Sequence, residues 1–187
     1  NTSVGVKALT DICCTSSNAV QIVRSLPEDA KIVFAPDRNL GNYIQSVTGR
    51  KMVVWDGACH VHEEFSLEKI LELKREYPQA KVLAHPECKK PVLMTAEYAT
   101  ESDCDTFIVV TEPGILHQMV KDNPTKRFIP APPVDSTCGC NDCTYMKMVT
   151  LEKMITALQN EQPEVEIEES IRAKAERSIR NMLAIKL

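Results

Sequence analysis

The sequence lacks any apolar run approaching the ~20 residues that a membrane-spanning helix requires, and residues 1–7 lack the charged and apolar regions of a signal peptide. Both absences point to the cytoplasm and away from a membrane. Clustered positive charge is missing too. The 22 Lys and Arg are scattered and the net charge is −4, so no basic face offers itself to a phosphate backbone and nucleic acid is not an expected partner. Glycine is scarce and proline ordinary, at 6 and 11 of 187 residues, too few for a low-complexity, disordered chain. The 43% hydrophobic and 26% charged fractions are those of a globular protein with a real core, folding as one domain or two small ones. An initiating methionine is also absent. The chain opens on Asn1-Thr2-Ser3 directly before a helical pattern, with no strand leading in, as expected of a fragment whose first third is missing.

Cysteine is present in quantity. Eight thiols in a reducing compartment are more often buried, metal-binding or catalytic than paired in disulfides. Their neighbourhoods follow from the secondary-structure pattern. Apolar, β-branched runs recur at Ile32-Val33-Phe34, Met52-Val53-Val54-Trp55, Lys81-Val82-Leu83-Ala84 and Phe107-Ile108-Val109-Val110, each ending in a polar or Pro-containing loop. Between them Ala19-Val20-Ile22-Val23-Leu26, Leu67-Ile70-Leu71-Leu73 and Ile115-Leu116-Met119-Val120 carry helical spacing. Strand and helix alternate, which predicts parallel α/β layers. The stretches 33–44 and 109–120 resemble each other as strand, acidic turn and helix, each followed by a basic turn and a strand, so the chain reads as internally duplicated. The spacing from Asn1 to Asp37 exceeds that from Glu87 to Glu112, which places a missing piece of the second copy near residues 96–100. Beyond Pro130-Ala131-Pro132-Pro133 come a Cys-rich loop, a helix at 151–159, an acidic linker and a helix at 171–183, two helices in need of a surface.

Four places can carry chemistry. Cys138-Gly139-Cys140-Asn141-Asp142-Cys143 brings three thiols onto one loop, which suits a metal or cluster, a structural thiol group or a redox pair. Cys59, in Gly57-Ala58-Cys59-His60-Val61-His62, and His85-Pro86-Glu87 each follow a strand, where parallel sheets bind ligands, although a small strand-end residue and a surface His-Glu pair are the plain alternatives. Thr15, Ser16 and Ser17 precede a helix from Asn18, as an anion site or an ordinary cap. Cys13 and Cys14 read as strand residues, and Cys88 and Cys104 as incidental.

The order of these motifs is more telling than any one of them. Asn1-Thr2-Ser3 with Val6-Lys7-Ala8, Cys14-Thr15-Ser16-Ser17-Asn18-Ala19, Ala35-Pro36-Asp37-Arg38-Asn39-Leu40-Gly41, Gly57-Ala58-Cys59-His60-Val61-His62, His85-Pro86-Glu87-Cys88, Thr111-Glu112-Pro113-Gly114 and Cys143-Thr144-Tyr145-Met146 follow in the succession of the quinolinate synthase family, which the chain resembles along its whole length. The resemblance implies three-layer α/β/α sandwich domains around a pseudo-threefold axis, two of three units being present. Residues 1–56 would be the second domain, 57–134 the third, and 135–187 the Cys-rich loop and helices that pack on the missing first domain.

It further implies condensation of iminoaspartate with dihydroxyacetone phosphate to quinolinate, with loss of phosphate and two waters. A 4Fe-4S cluster would be held by Cys59 and Cys143, its third ligand not in this chain. Asn1, Ser16, His85, Pro86, Glu87 and Met146 would bind substrate, Glu87 and His85 would move protons, and L-aspartate oxidase would be the upstream partner. The family's Gly-Ser-Thr motif after His85-Pro86-Glu87 is not found, and Cys138 and Cys140 fall where some members carry a redox-active pair. The competing reading is a non-catalytic α/β binding module with structural zinc at the Cys-rich loop. A cluster-free enzyme using His85 and Glu87 is a further one.

Overall fold

The computed structural model describes residues 2–95, 104–134 and 141–185. Each β-branched run becomes a strand: β1 (Ile32–Phe34), β2 (Met52–Val54), β3 (Lys81–Ala84), β4 (Thr106–Val110) and β5 (Arg127–Pro130). They form two parallel sheets, β1-β2 and β3-β4-β5, the first in register Ile32 to Met52 and the second with Lys81 opposite Phe107 and Thr106 opposite Arg127. Parallel neighbours demand crossovers. Helix α3 (Arg38–Thr48) links β1 to β2, α7 (Ile115–Asp122) links β4 to β5, and α5 (Leu67–Glu76) precedes β3. The fold is therefore α/β, with parallel sheets flanked by helices. The remaining helices are α1 (Val4–Ala8), α2 (Ala19–Ser25), α4 (His60–Glu63), α6 (Lys90–Leu93), α8 (Leu151–Asn160) and α9 (Glu169–Ala184).

Two cores follow from the two sheets. Phe34 of β1 meets Ala19 and Val23 of α2 and Leu40 and Ile44 of α3, while Arg50 donates to the carbonyls of Leu26 and Pro27 and so closes the end of α2. Gly41 lets α3 lie against the sheet, because a Cβ there would come within 2.6 Å of Val54 Cγ1. In the larger core the central strand β4 is buried from Phe107 to Val110, packed with Ile70, Val82 and Val92. The opposite face of β1-β2 is bare: Val33, Val53 and Trp55 point outward and line a shallow hollow with Val54 and Asp56.

Cys13 and Cys14 are not strand residues. The Cys13 N–H goes to the Ser178 carbonyl of α9 at 3.0 Å and its thiol meets Ser178 Oγ at 3.2 Å, so helix rather than a neighbouring strand satisfies this stretch. That contact also shows where α9 finds cover. It packs on α1 and buries Ala175 and Ser178, whereas α8 buries none of its residues and leaves Leu151, Ile155 and Leu158 exposed. Among the described residues no helix is long and apolar enough to cross a membrane.

Candidate functional site

The C-terminal ends of strands from both sheets converge, as expected for ligand sites in parallel α/β layers. Asp37, just past β1, is buried and organises the first half of the site. One carboxylate oxygen caps α3 by accepting from Leu40 N at 2.7 Å, and the other accepts from Cys59 N at 2.8 Å. Burial pushes the Asp37 carboxyl up and these amides pull it back. Gly57, past β2, is required for this approach, since a Cβ would lie 2.5 Å from the Pro36 carbonyl oxygen. Asn39 then reaches across, donating to Glu63 Oε1 at 2.6 Å and to the Glu87 carbonyl at 3.0 Å, so the loop after β3 is tied to α3 and α4.

His62 lies at the centre, only 6% exposed. Cys59 and His62 are three apart across the first turn of α4, which sets them on one side. His62 Nδ1 is 3.2 Å from Glu87 Oε2, its Nε2 is 3.0 Å from Thr111 Oγ1 past β4, and its ring stacks on His85 at 4.3 Å and 10°. Burial alone would push His62 down, but hydrogen bonds to Cys59 and Glu87 and the charge on both outweigh it and hold it up at about 9. His62 is thus an imidazolium at neutral pH, and both of its ring N–H groups donate, to Glu87 and to Thr111. Hydrogen bonding from His62 is also the largest cause that lowers each of the Glu87 carboxyl and the Cys59 thiol.

His85 behaves oppositely. Burial and the neighbouring His62 charge push it down, so it is neutral. The Glu87 N–H donates to His85 Nδ1 at 3.3 Å, which leaves the proton on Nε2, 3.1 Å from Ser16 Oγ. Ser16 therefore accepts from His85 and keeps its own hydroxyl proton free to donate outward. Thr111 is in the same position beside His62.

Of the residues picked out by sequence, the structure joins Ser16, His85, Glu87 and Cys59 in one constellation, with Pro86 inside its loop. Cys143 packs partly buried against the same core as Cys59, and the His60 and Tyr145 rings meet edge-on at 5.6 Å, which brings the Cys143 segment beside α4. Met146 is half-exposed on the short 3-10 turn that follows. Cys88 is fully buried and its thiol is pushed up to about 12 by burial, an inert core residue. Asn1, Cys138, Cys140 and the suspected gap near residues 96–100 lie outside the described residues. Sequence reading passed over His62, Asn39, Asp37 and Thr111 as functional groups. The Cys-x-x-His spacing of Cys59 and His62 was the available signal.

Cys59, His62 and Glu87 can each offer a donor atom, and the three atoms lie within 4.8 Å of one another, so this group can hold a metal. A lowered, partly buried thiol with a second cysteine beside the same core also fits thiolate coordination of a cluster.

A family model described as quinolinate synthetase A protein (NadA) matches residues 1–184. The chain is 54% identical to a quinolinate synthase of Thermosynechococcus vestitus, over 98% of this chain and 60% of the relative. It is 50% and 51% identical to quinolinate synthases of Synechococcus sp. and Synechocystis sp., each over 99% of this chain and 61% of the relative. The chain thus spans about 60% of the length of these relatives. The alignments run over 193 to 195 residues against the 187 here, so some positions of the relatives have no counterpart in this chain.

Proposed function

Since the chain belongs to the quinolinate synthetase A protein family, we propose that it serves in a quinolinate synthase, condensing iminoaspartate with dihydroxyacetone phosphate to quinolinate with loss of phosphate and two waters. The observation that carries the reading is the convergence of Ser16, His85, Glu87, His62 and Cys59 where strands of both sheets end. Ser16 and Thr111 offer hydroxyl protons to a carboxylate, and the His62 imidazolium keeps Glu87 ionised beside them. Glu87 is then the proton acceptor. Neutral His85, with its proton on Nε2 toward Ser16, relays a proton at the carboxylate end of the substrate. Asn1, Pro86 and Met146 complete the substrate contacts.

Cys59 and Cys143 are the two thiolates this chain brings to a 4Fe-4S cluster, with a third ligand from outside it. Such a cluster supplies a Lewis acid that polarises a hydroxyl or carboxylate so that water can leave. With this reading go a division of the chain at 1–56, 57–134 and 135–187, a cytoplasmic location, and a reaction upstream, such as that of L-aspartate oxidase, that supplies the unstable imine.

The test is an anaerobic assay of quinolinate from dihydroxyacetone phosphate and freshly generated iminoaspartate, with iron and sulfide analysis of the complete protein. About four of each per chain and quinolinate formation are expected. A fully loaded protein that forms no quinolinate would refute the activity, and zinc in place of iron that is lost with Cys143→Ser but kept with Cys59→Ser would favour a structural metal module.

A further inference from the structure

We propose that in the absence of a cluster Cys59, His62 and Glu87 bind a single zinc-class divalent ion, with one coordination position left open. The donors are one thiol sulfur, one imidazole nitrogen and one carboxylate oxygen, a mixed set that borderline metals such as zinc prefer and that hard cations such as magnesium do not. In a tetrahedral zinc site neighbouring donor atoms sit about 3.3–3.6 Å apart, from metal–ligand bonds of about 2.0–2.3 Å. His62 Nδ1 and Glu87 Oε2 are already 3.2 Å apart, and all three donors lie within 4.8 Å.

The His62 donor is held from behind, as metal ligands characteristically are, and the other two ligands are anchored through their backbones. His62 keeps its far nitrogen on Thr111 Oγ1 at 3.0 Å, so Nδ1 is the nitrogen turned to the ion. Glu87 is fixed through its carbonyl by Asn39 at 3.0 Å, and Cys59 through its N–H by buried Asp37 at 2.8 Å. Three protein ligands and one open position match the layout of zinc sites that bind water or a small anion. Ser16 and His85 stand beside the His62–Glu87 pair, so a substrate-like carboxylate is the class of fourth ligand it would take.

Because Cys59 belongs to both sites, zinc and the cluster exclude one another. This exclusion rests on the cluster reading above, whereas the single-ion site does not.

The experiment uses the complete protein, stripped of iron by chelation under anaerobic conditions and titrated with cobalt(II) as a coloured stand-in for zinc. One cobalt per chain is expected, with a thiolate charge-transfer band and the intense visible bands of four-coordination. His62→Asn and Glu87→Gln should each weaken binding by more than about 100-fold, beyond what loss of an outer partner costs, and Cys143→Ser should bind as the parent does. No thiolate band, variants within about 10-fold of the parent, or loss of binding in Cys143→Ser would overturn the site.

A measurement on the unaltered protein guards against variants that misfold. One equivalent of zinc should shield Cys59 from iodoacetamide while Cys143 is still labelled, as read by peptide mass. Equal labelling of Cys59 with and without zinc overturns the proposal. Finally, zinc-loaded protein should take up iron and sulfide only after the zinc is chelated. If no cluster assembles in either case while cobalt still binds as described, it is the cluster reading that fails and the single-ion site that stands.

Discussion

At the scale of the residue, the site depends on which groups carry charge. Glu87 is ionised because His62 holds its proton on the other side of their hydrogen bond. Glu87→Gln keeps the shape and removes the basicity, so quinolinate formation should fall by ~10²-fold or more while the iron content of the complete protein stays unchanged. Activity within about twofold of the parent would remove Glu87 from the chemistry. The thiols divide as sharply. Cys59→Ser and Cys143→Ser should each abolish the brown iron–sulfur absorbance, whereas Cys104→Ser, whose thiol donates to the Thr106 carbonyl at 3.0 Å away from the site, should retain it. Full cluster occupancy without Cys59 would overturn its assignment as ligand. Sequence picked out Glu87, His85, Ser16 and Cys59 because each follows a strand or opens a helix. It passed over His62 because a histidine buried between three partners looks, in one dimension, like its exposed neighbour His60.

At the scale of the element, a single carboxylate joins a helix to the loop that carries Cys59. Asp37→Asn keeps one acceptor oxygen where two amides now donate, so the α3 cap or the Cys59 amide loses its partner. The expected cost is about 1–2 kcal/mol, read as a lower denaturant midpoint with an unchanged slope. A midpoint equal to that of the parent would show that the second amide finds water at no cost. Gly41→Ala tests the packing of the same helix. Its new Cβ would strike Val54, which predicts a loss of about 1–3 kcal/mol from overpacking in spite of the better helix propensity of alanine. The strands were legible because β-branched runs of three to five residues bounded by Pro, Gly and Asp leave little choice. Cys13 and Cys14 were not, because their backbone partner is Ser178 of α9, far along the chain. Nor does helical spacing reveal cover: Leu151, Ile155 and Leu158 give α8 an apolar stripe that meets no partner among the described residues.

At the scale of the whole molecule, the pairing of His62 with Cys59 and Glu87 ties stability to pH. Glu87 is held below its ordinary 4.5 and His62 is raised from 6.5 to about 9. The stability they contribute is therefore complete between about pH 4.5 and 6.5. It fades below that window as Glu87 protonates, and above it as His62 loses its proton toward about pH 9. The melting temperature of cluster-free protein should follow this plateau, and His62→Asn should flatten its alkaline edge. An edge that persists in the variant assigns the decline to other groups. The chain also has one tryptophan, and Trp55 stands 66% exposed on the bare side of β1-β2. Its fluorescence should therefore peak at the long wavelength of a solvated indole, and anything that covers this face should shift it to the blue.

The Ser16–His85 contact spans 69 positions and His62–Thr111 spans 49. Closing loops of that length costs entropy before any contact repays it, and parallel sheets add crossovers that must also be in place. The constellation can be complete only after both sheets have formed and met. A cell therefore makes a chain whose thiols and imidazoles are on offer to any passing ion for some time before they are shaped to choose one. Which metal is nearby while the protein folds will then matter as much as which one it finally prefers.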